Sequence, residues 1–170
     1  MAKAFELIST VTVGSGGAAT VTFSSIPATY TDLCVKFSLR CGATGTQWNN
    51  SEVTFNGSSA NRTFIYVGAY NNGAPVTGTG AVALVFINHG NSPSDTFGNG
   101  EMYVGGYAST TQHKPMSFNA NSALASQDSM TSFGLNNWAV TSAITSITFT
   151  AQSNVYTQYS CATLYGIKNS

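Results

Sequence analysis

The sequence predicts an all-β fold, an antiparallel sandwich or barrel of about eight to ten short strands with no substantial helix. Three observations carry this reading. Period-two alternation of apolar and polar residues dominates the chain, and that period places one set of side chains on each face of a pleated sheet. Turn signals punctuate the alternation at Asn56-Gly57, Asn71-Asn72-Gly73, Asn88-His89-Gly90 and Asn99-Gly100. No segment joins a 3.6-residue apolar stripe to helix caps. Ser122 to Ser132 is the best helix candidate, and it is short and Ser-rich.

The elements follow in order. Phe5 to Val13 is a long first strand, joined by Gly14-Ser15-Gly16-Gly17 to the clean alternation of Ala19 to Phe23. Glycine there supplies the positive φ of a tight hairpin turn. Next, Leu33, Val35, Phe37 and Leu39 point one way while Cys34, Lys36, Ser38 and Arg40 point the other. Cys41 to Asn50 is polar and charge-free, which predicts a surface loop. Shorter strands are expected at Glu52 to Phe55, Arg62 to Val67, Ala81 to Asn88, Glu101 to Tyr107, Pro115 to Asn119 and Asn137 to Val140. Gly78 to Gly80 and Gly98 to Gly100 read as loop tips between them. Ile144 to Thr150 is β-branched, and Ala162 to Ile167 closes the chain.

The 170 residues fit one domain, 1–170. Charged residues are only 7% and the formal net charge is zero, against about 25% charged in an ordinary soluble domain. With no basic cluster, attraction to nucleic acid or anionic lipid is not expected. At 42% hydrophobic and 12% aromatic the chain is too apolar for disorder. Its longest apolar run, Ala81 to Ile87, falls far short of the roughly 20 residues of a membrane span. No apolar stretch of signal-peptide length precedes Glu6, so the expectation is a complete chain made in a cytoplasm. Three cysteines, Cys34, Cys41 and Cys161, argue against a disulfide framework and against zinc. Outward strand positions carry Thr, Ser, Tyr and Asn more often than Lys or Glu. Such a face can be buried on another subunit with little desolvation cost, which favours an oligomer or an assembled particle.

Catalytic patterns are weak. His89-Gly90-Asn91-Ser92-Pro93-Ser94-Asp95 holds a His, two Ser and an Asp, but a nucleophilic triad draws its members from distant parts of a fold. Asp95 and Glu101 lack a nearby third carboxylate for a metal. Glu52, Asp95, Glu101 and Asp128 could supply a glycosidase pair, and nothing selects one. No catalytic, metal or cofactor residue is therefore assigned. Trp48, Trp138, Tyr66, Tyr70, Tyr103, Tyr107, Tyr156 and Tyr159 could stack on sugar rings; the competing expectation is that most fill the core or subunit interfaces. Trp48, in the loop Thr46-Gln47-Trp48-Asn49-Asn50, is the candidate exposed contact residue.

Three segments carry a resemblance: Phe5-Glu6-Leu7-Ile8-Ser9, Ile26-Pro27-Ala28-Thr29-Tyr30-Thr31-Asp32-Leu33, and Thr163-Leu164-Tyr165-Gly166-Ile167-Lys168. They resemble small virion proteins of tailed, cyanophage-like bacteriophages, in particular capsid cement (decoration) proteins. A tail-fibre tip or receptor-binding domain is the neighbouring possibility. The resemblance implies a jelly-roll-like β-sandwich, a homotrimer, no catalysis and no cofactor. It implies a place on the capsid surface against the phage major capsid protein, after synthesis in a bacterial cytoplasm. The alternative implies a host glycan as ligand. Val53, Phe55, Ile65 and Val67 are expected to divide between core and interface.

Overall fold

The computed structural model describes residues 5–44, 49–70, 73–81, 84–123 and 129–168. They form twelve strands: β1 (Phe5–Thr12), β2 (Thr20–Phe23), β3 (Asp32–Leu39), β4 (Asn49–Phe55), β5 (Arg62–Tyr70), β6 (Ala74–Gly80), β7 (Leu84–Ile87), β8 (Gly98–Val104), β9 (Lys114–Ala123), β10 (Ser129–Trp138), β11 (Ile147–Ala151) and β12 (Cys161–Ile167). No helix occurs among the described residues, and so none long and apolar enough to cross a membrane.

The strands make two antiparallel sheets, one of eight in the order β1-β12-β3-β8-β9-β10-β5-β6 and one of four in the order β2-β11-β4-β7. Eight of them nest as a jelly roll. In the large sheet β1 pairs with β12, β12 with β3 and β3 with β8. In the small sheet β2 pairs with β11, β11 with β4 and β4 with β7, step for step. Two hairpins are added to this frame. β5–β6 is inserted between β4 and β7, β9–β10 between β8 and β11, and the two join through β10 and β5. The expected sandwich is present, with more strands than the alternation counted.

The core lies between the sheets. Leu33, Val35, Phe37 and Leu39 face it as expected, against Val21, Phe23, Val53, Phe55, Ile147 and Phe149. Strand glycines serve as beds for rings. The rings of Tyr66, Phe37, Phe118 and Tyr30 lie where a Cβ on Gly78, Gly100, Gly134 and Gly166 would stand. Gly78 to Gly80 and Gly98 to Gly100 are thus strand residues of β6 and β8, not loop tips. A glycine costs a strand its side-chain packing, and here a neighbour's ring restores it.

Other expectations change. Gly14 to Gly17 does form a tight turn, with Gly17 N–H bonded to Gly14 O at 3.1 Å and Gly17 at φ +71°. It is no hairpin, because β1 and β2 belong to different sheets. The candidate helix over Ser122 to Ser132 is a strand pair at its described residues, with Ser129 opposite Ala123 and Met130 opposite Ser122. Period-two burial decides it: Ser122, Met130 and Ser132 are buried while their neighbours are exposed. The expected surface loop from Cys41 to Asn50 begins inside the core with Cys41 and Ala43, and Asn49 opens β4.

Asn56-Gly57 turns the chain with both residues at positive φ, +52° and +70°, the type I′ geometry. The Asn56 side chain then fastens a distant segment. Its Oδ1 accepts the N–H groups of Thr145 (2.8 Å) and Ser146 (3.1 Å), and its Nδ2 donates to Ala143 O (2.8 Å). Asn56→Ala is expected to cost about 2 kcal/mol, since its three solvent-exposed bonds contribute about 0.5 kcal/mol net each and alanine disfavours that φ. Urea unfolding measures it; a change below about 0.5 kcal/mol would count against the latch.

Candidate functional site

The outer face of the large sheet is the candidate site, and strand register assembles it. Opposed residues across β6, β5, β10 and β9 are Thr79, Ile65, Leu135 and Ser117. The row continues over β8, β3, β12 and β1 as Tyr103, Cys34, Tyr165 and Leu7. The row beside it begins Thr77, Val67, Phe133, Asn119 and passes through Glu101 and Lys36.

Two apolar patches result. Ile65, Val67, Phe133 and Leu135, all on the inserted hairpins, each expose more than half of their surface. At the opposite edge Leu7 is exposed, and Phe5, half exposed, meets the Tyr165 ring edge-on at 6.2 Å. Of the four residues expected to divide between core and interface, Val53 and Phe55 are core while Ile65 and Val67 face outward. Two hollows of about 470 and 480 Å³ flank the Ile65–Leu135 pair. The first is bounded by Tyr103, Pro115, Ser117 and Asn137, the second by Val67, Thr77, Thr79 and Phe133.

Charge on this face is self-compensated. Lys36 Nζ lies 3.3 Å from Glu101 Oε2. Asp32 is buried, accepting the Tyr103 hydroxyl at 2.5 Å and the Gly106 N–H at 2.8 Å. No other Lys, Arg, Asp or Glu occupies an outward strand position here among the described residues. Burial, and then the nearby Glu101 charge, push the Cys34 thiol from 9.0 to about 11. Burial and the Asp32 hydrogen bond push the Tyr103 phenol from 10.0 to about 12.

A pH dependence follows. Both folded-state values are raised, so their contribution is fully present below about pH 9 and is lost as pH rises through 9 to 12. The unfolded chain releases these protons first. For Cys34 two pH units correspond to about 3 kcal/mol at most. Urea midpoints are expected to fall steeply from pH 9 to 11 and to fall less in Cys34→Ala. An identical slope in that variant would contradict the assignment.

The other candidate residues scatter. Trp48 lies outside the described residues. Trp138, Tyr107 and Tyr156 are interior, Tyr107 donating to Pro27 O and Tyr156 paired with the Ser51 hydroxyl. Tyr66 and Tyr70 pack on the core, while Tyr103 and Tyr159 are exposed. His89 is buried, and its Nδ1 accepts the Asn91 N–H at 3.1 Å. The Ser92 hydroxyl meets the His89 backbone N–H (3.4 Å), not the ring. Arg40 fastens this loop, donating to the carbonyls of Gly90, Ser92, Pro93 and Thr96 at 2.6–3.2 Å. Among the acids, Glu52 pairs with Arg62 in the region of the small sheet, Glu101 with Lys36 on the large one, and Asp95 sits in a turn at φ +60°. Asp128 lies outside the described residues. No group of three His, Cys, Asp or Glu able to hold a metal occurs among the described residues.

Comparison with protein-family models, with curated proteins and with solved structures finds no match to this chain.

Proposed function

We propose that this chain is a structural protein of a bacteriophage virion and not an enzyme. It acts as a decoration, or cement, protein that works as a homotrimer on the outer surface of the head. It binds the major capsid protein there and holds capsomer junctions together. The observation that supports this most is the outer face of the large sheet, where half-exposed Ile65, Val67, Phe133 and Leu135 stand on a surface whose exposed ions at outward strand positions, among the described residues, are the mutual pair Lys36 and Glu101. A contiguous apolar patch of this kind marks an interaction surface. The outer face of the small sheet carries Thr22, Thr148 and Thr54 in one row and Thr20, Thr150 and Glu52 in the next, with the Glu52 carboxylate paired to Arg62. Two faces whose ions are internally paired suit a protein that meets sister copies with one and a shell with the other.

The work is mechanical. A clamp bound across several capsomers must be released before they part, so its binding free energy adds to shell stability by mass action. Particles lacking the protein are expected to burst at lower temperature and under milder osmotic shock than particles carrying it. Equal resistance would count heavily against the cement role.

One observation favours a second reading, a tail-fibre domain that binds a host glycan. The hollow beside Ile65 presents exposed Tyr103 with Thr63, Ser117 and Asn137, a ring and neutral hydrogen-bonding groups suited to an uncharged sugar. Glycan-array binding by the isolated protein, abolished by Tyr103→Ala, would favour it.

A further inference from the structure

We propose that the occupant of the outer face of the large sheet is a second copy of this chain. The inference rests on the assembly reading above and names the surface that makes the oligomer. Extent is the first argument. Eight strands about 4.8 Å apart, each at least seven residues long at about 3.3 Å per residue, give a footprint of about 900 Å². A standard interface takes about 800 Å² from each partner.

The distribution of apolar groups is the second. The patch at Ile65, Val67, Phe133 and Leu135 and the patch at Phe5 and Leu7 lie near opposite edges of one sheet. A foreign protein would need two matching surfaces at that separation. A sister copy carries both already, so each patch can be covered by symmetry.

Charge is the third. The ion pair Lys36–Glu101 bridges β3 and β8, beside the midline of the sheet, and a second exposed pair, Lys168–Glu6, lies at the β1 edge. A sister copy carries the same internally paired ions and so brings no net charge to this face, whatever the symmetry of the assembly. No unpaired charge is then buried. A partner with a one-signed surface would leave one member of the pair opposed by like charge.

The test is light scattering and sedimentation of the full chain at about 10 μM, in dilute buffer and in about 1 M NaCl, where the Debye length is roughly 3 Å. The wild type is expected to be oligomeric at both salt concentrations. Leu135→Asp and Leu7→Asp, at the two ends of the face, are each expected to weaken association by about 100-fold or more, because an unpaired charge would be buried. Circular dichroism and the melting temperature report that each variant is folded. Thr22→Asp, on the other sheet, is expected to leave the oligomer intact. A monomeric wild type, dissociation by salt alone, or an oligomer indifferent to both Leu substitutions would overturn the proposal. The number of copies, three expected, and the presence of the protein on phage heads bear separately on the shell reading. They can fail while this face still binds its sister.

Discussion

Gly134→Val is expected to lower the melting temperature by about 6–12 °C. Gly134 sits mid-strand in β10 between Phe118 and Tyr66. A Cβ there would overlap the Phe118 ring and stand 2.8 Å from the carbonyl oxygen of Ile65. The ring cannot simply withdraw. It crosses β10 to stack on Phe64 at 5.9 Å, and Phe64 stacks on Tyr66, which meets Phe86 edge-on at 4.8 Å. Overpacking of this kind costs about 3 kcal/mol, and a chain of this length loses about 2–4 °C per kcal/mol. Gly134→Ala should be milder, and Phe118→Leu should partly rescue it, since contacting residues couple. Calorimetry on the single and double variants decides it. Strict additivity would show that the Phe118 ring is not what the glycine accommodates.

Arg62→Ala carries the second large effect. Arg62 is buried on β5, and its guanidinium is fully committed. It donates to Ser59 O at 3.0 Å, to Val53 O at 2.5 Å and to Glu52 Oε1 at 2.6 Å. Glu52 and Val53 belong to β4 of the small sheet, so this one side chain ties the inserted hairpins to the jelly-roll frame. Removing one partner of a buried pair costs about 3–5 kcal/mol; Glu52 retains some solvent, with its side chain 22% exposed, which places the expectation near about 3 kcal/mol. Glu52→Gln should cost less, because an amide oxygen can still accept. Urea midpoints that fall further for Glu52→Gln than for Arg62→Ala would contradict this ordering.

Much of the frame was legible in the sequence. The alternation from Leu33 to Leu39 names the buried face of β3, and Asn56-Gly57 marks a type I′ turn. The large sheet was harder to read for a physical reason. Its strands β6 and β8 carry glycines at 78 and 100, which resemble turns until the rings that cover them are known, and those rings, Tyr66 and Phe37, come from neighbouring strands. Sheet partition was likewise invisible, since a glycine turn looks the same whether it returns to the same sheet or crosses to the other. Two of the six Lys and Arg residues, Arg62 and Lys114, proved interior. Lys114 donates to the carbonyls of Gln112 and Thr141 at 2.5 and 3.0 Å, and burial lowers its pKa. Alternation at Pro115 to Asn119 could not reveal a lysine that closes the end of the sandwich. As for the site, the shortage of charge pointed to a covered face. Ile65 and Val67 stand among four residues expected to divide between core and interface, but Phe133 and Leu135 do not, because they fall between the best helix candidate, Ser122 to Ser132, and the strand expected from Asn137.

The proposed cement role is tested most directly by locating the protein in images of the virion that the proposal assigns it to. The expected result is density on the outer surface of the head lattice, in clusters of three seated over junctions between capsomers. Density confined to the tail, or a particle that contains none of the protein, would contradict it.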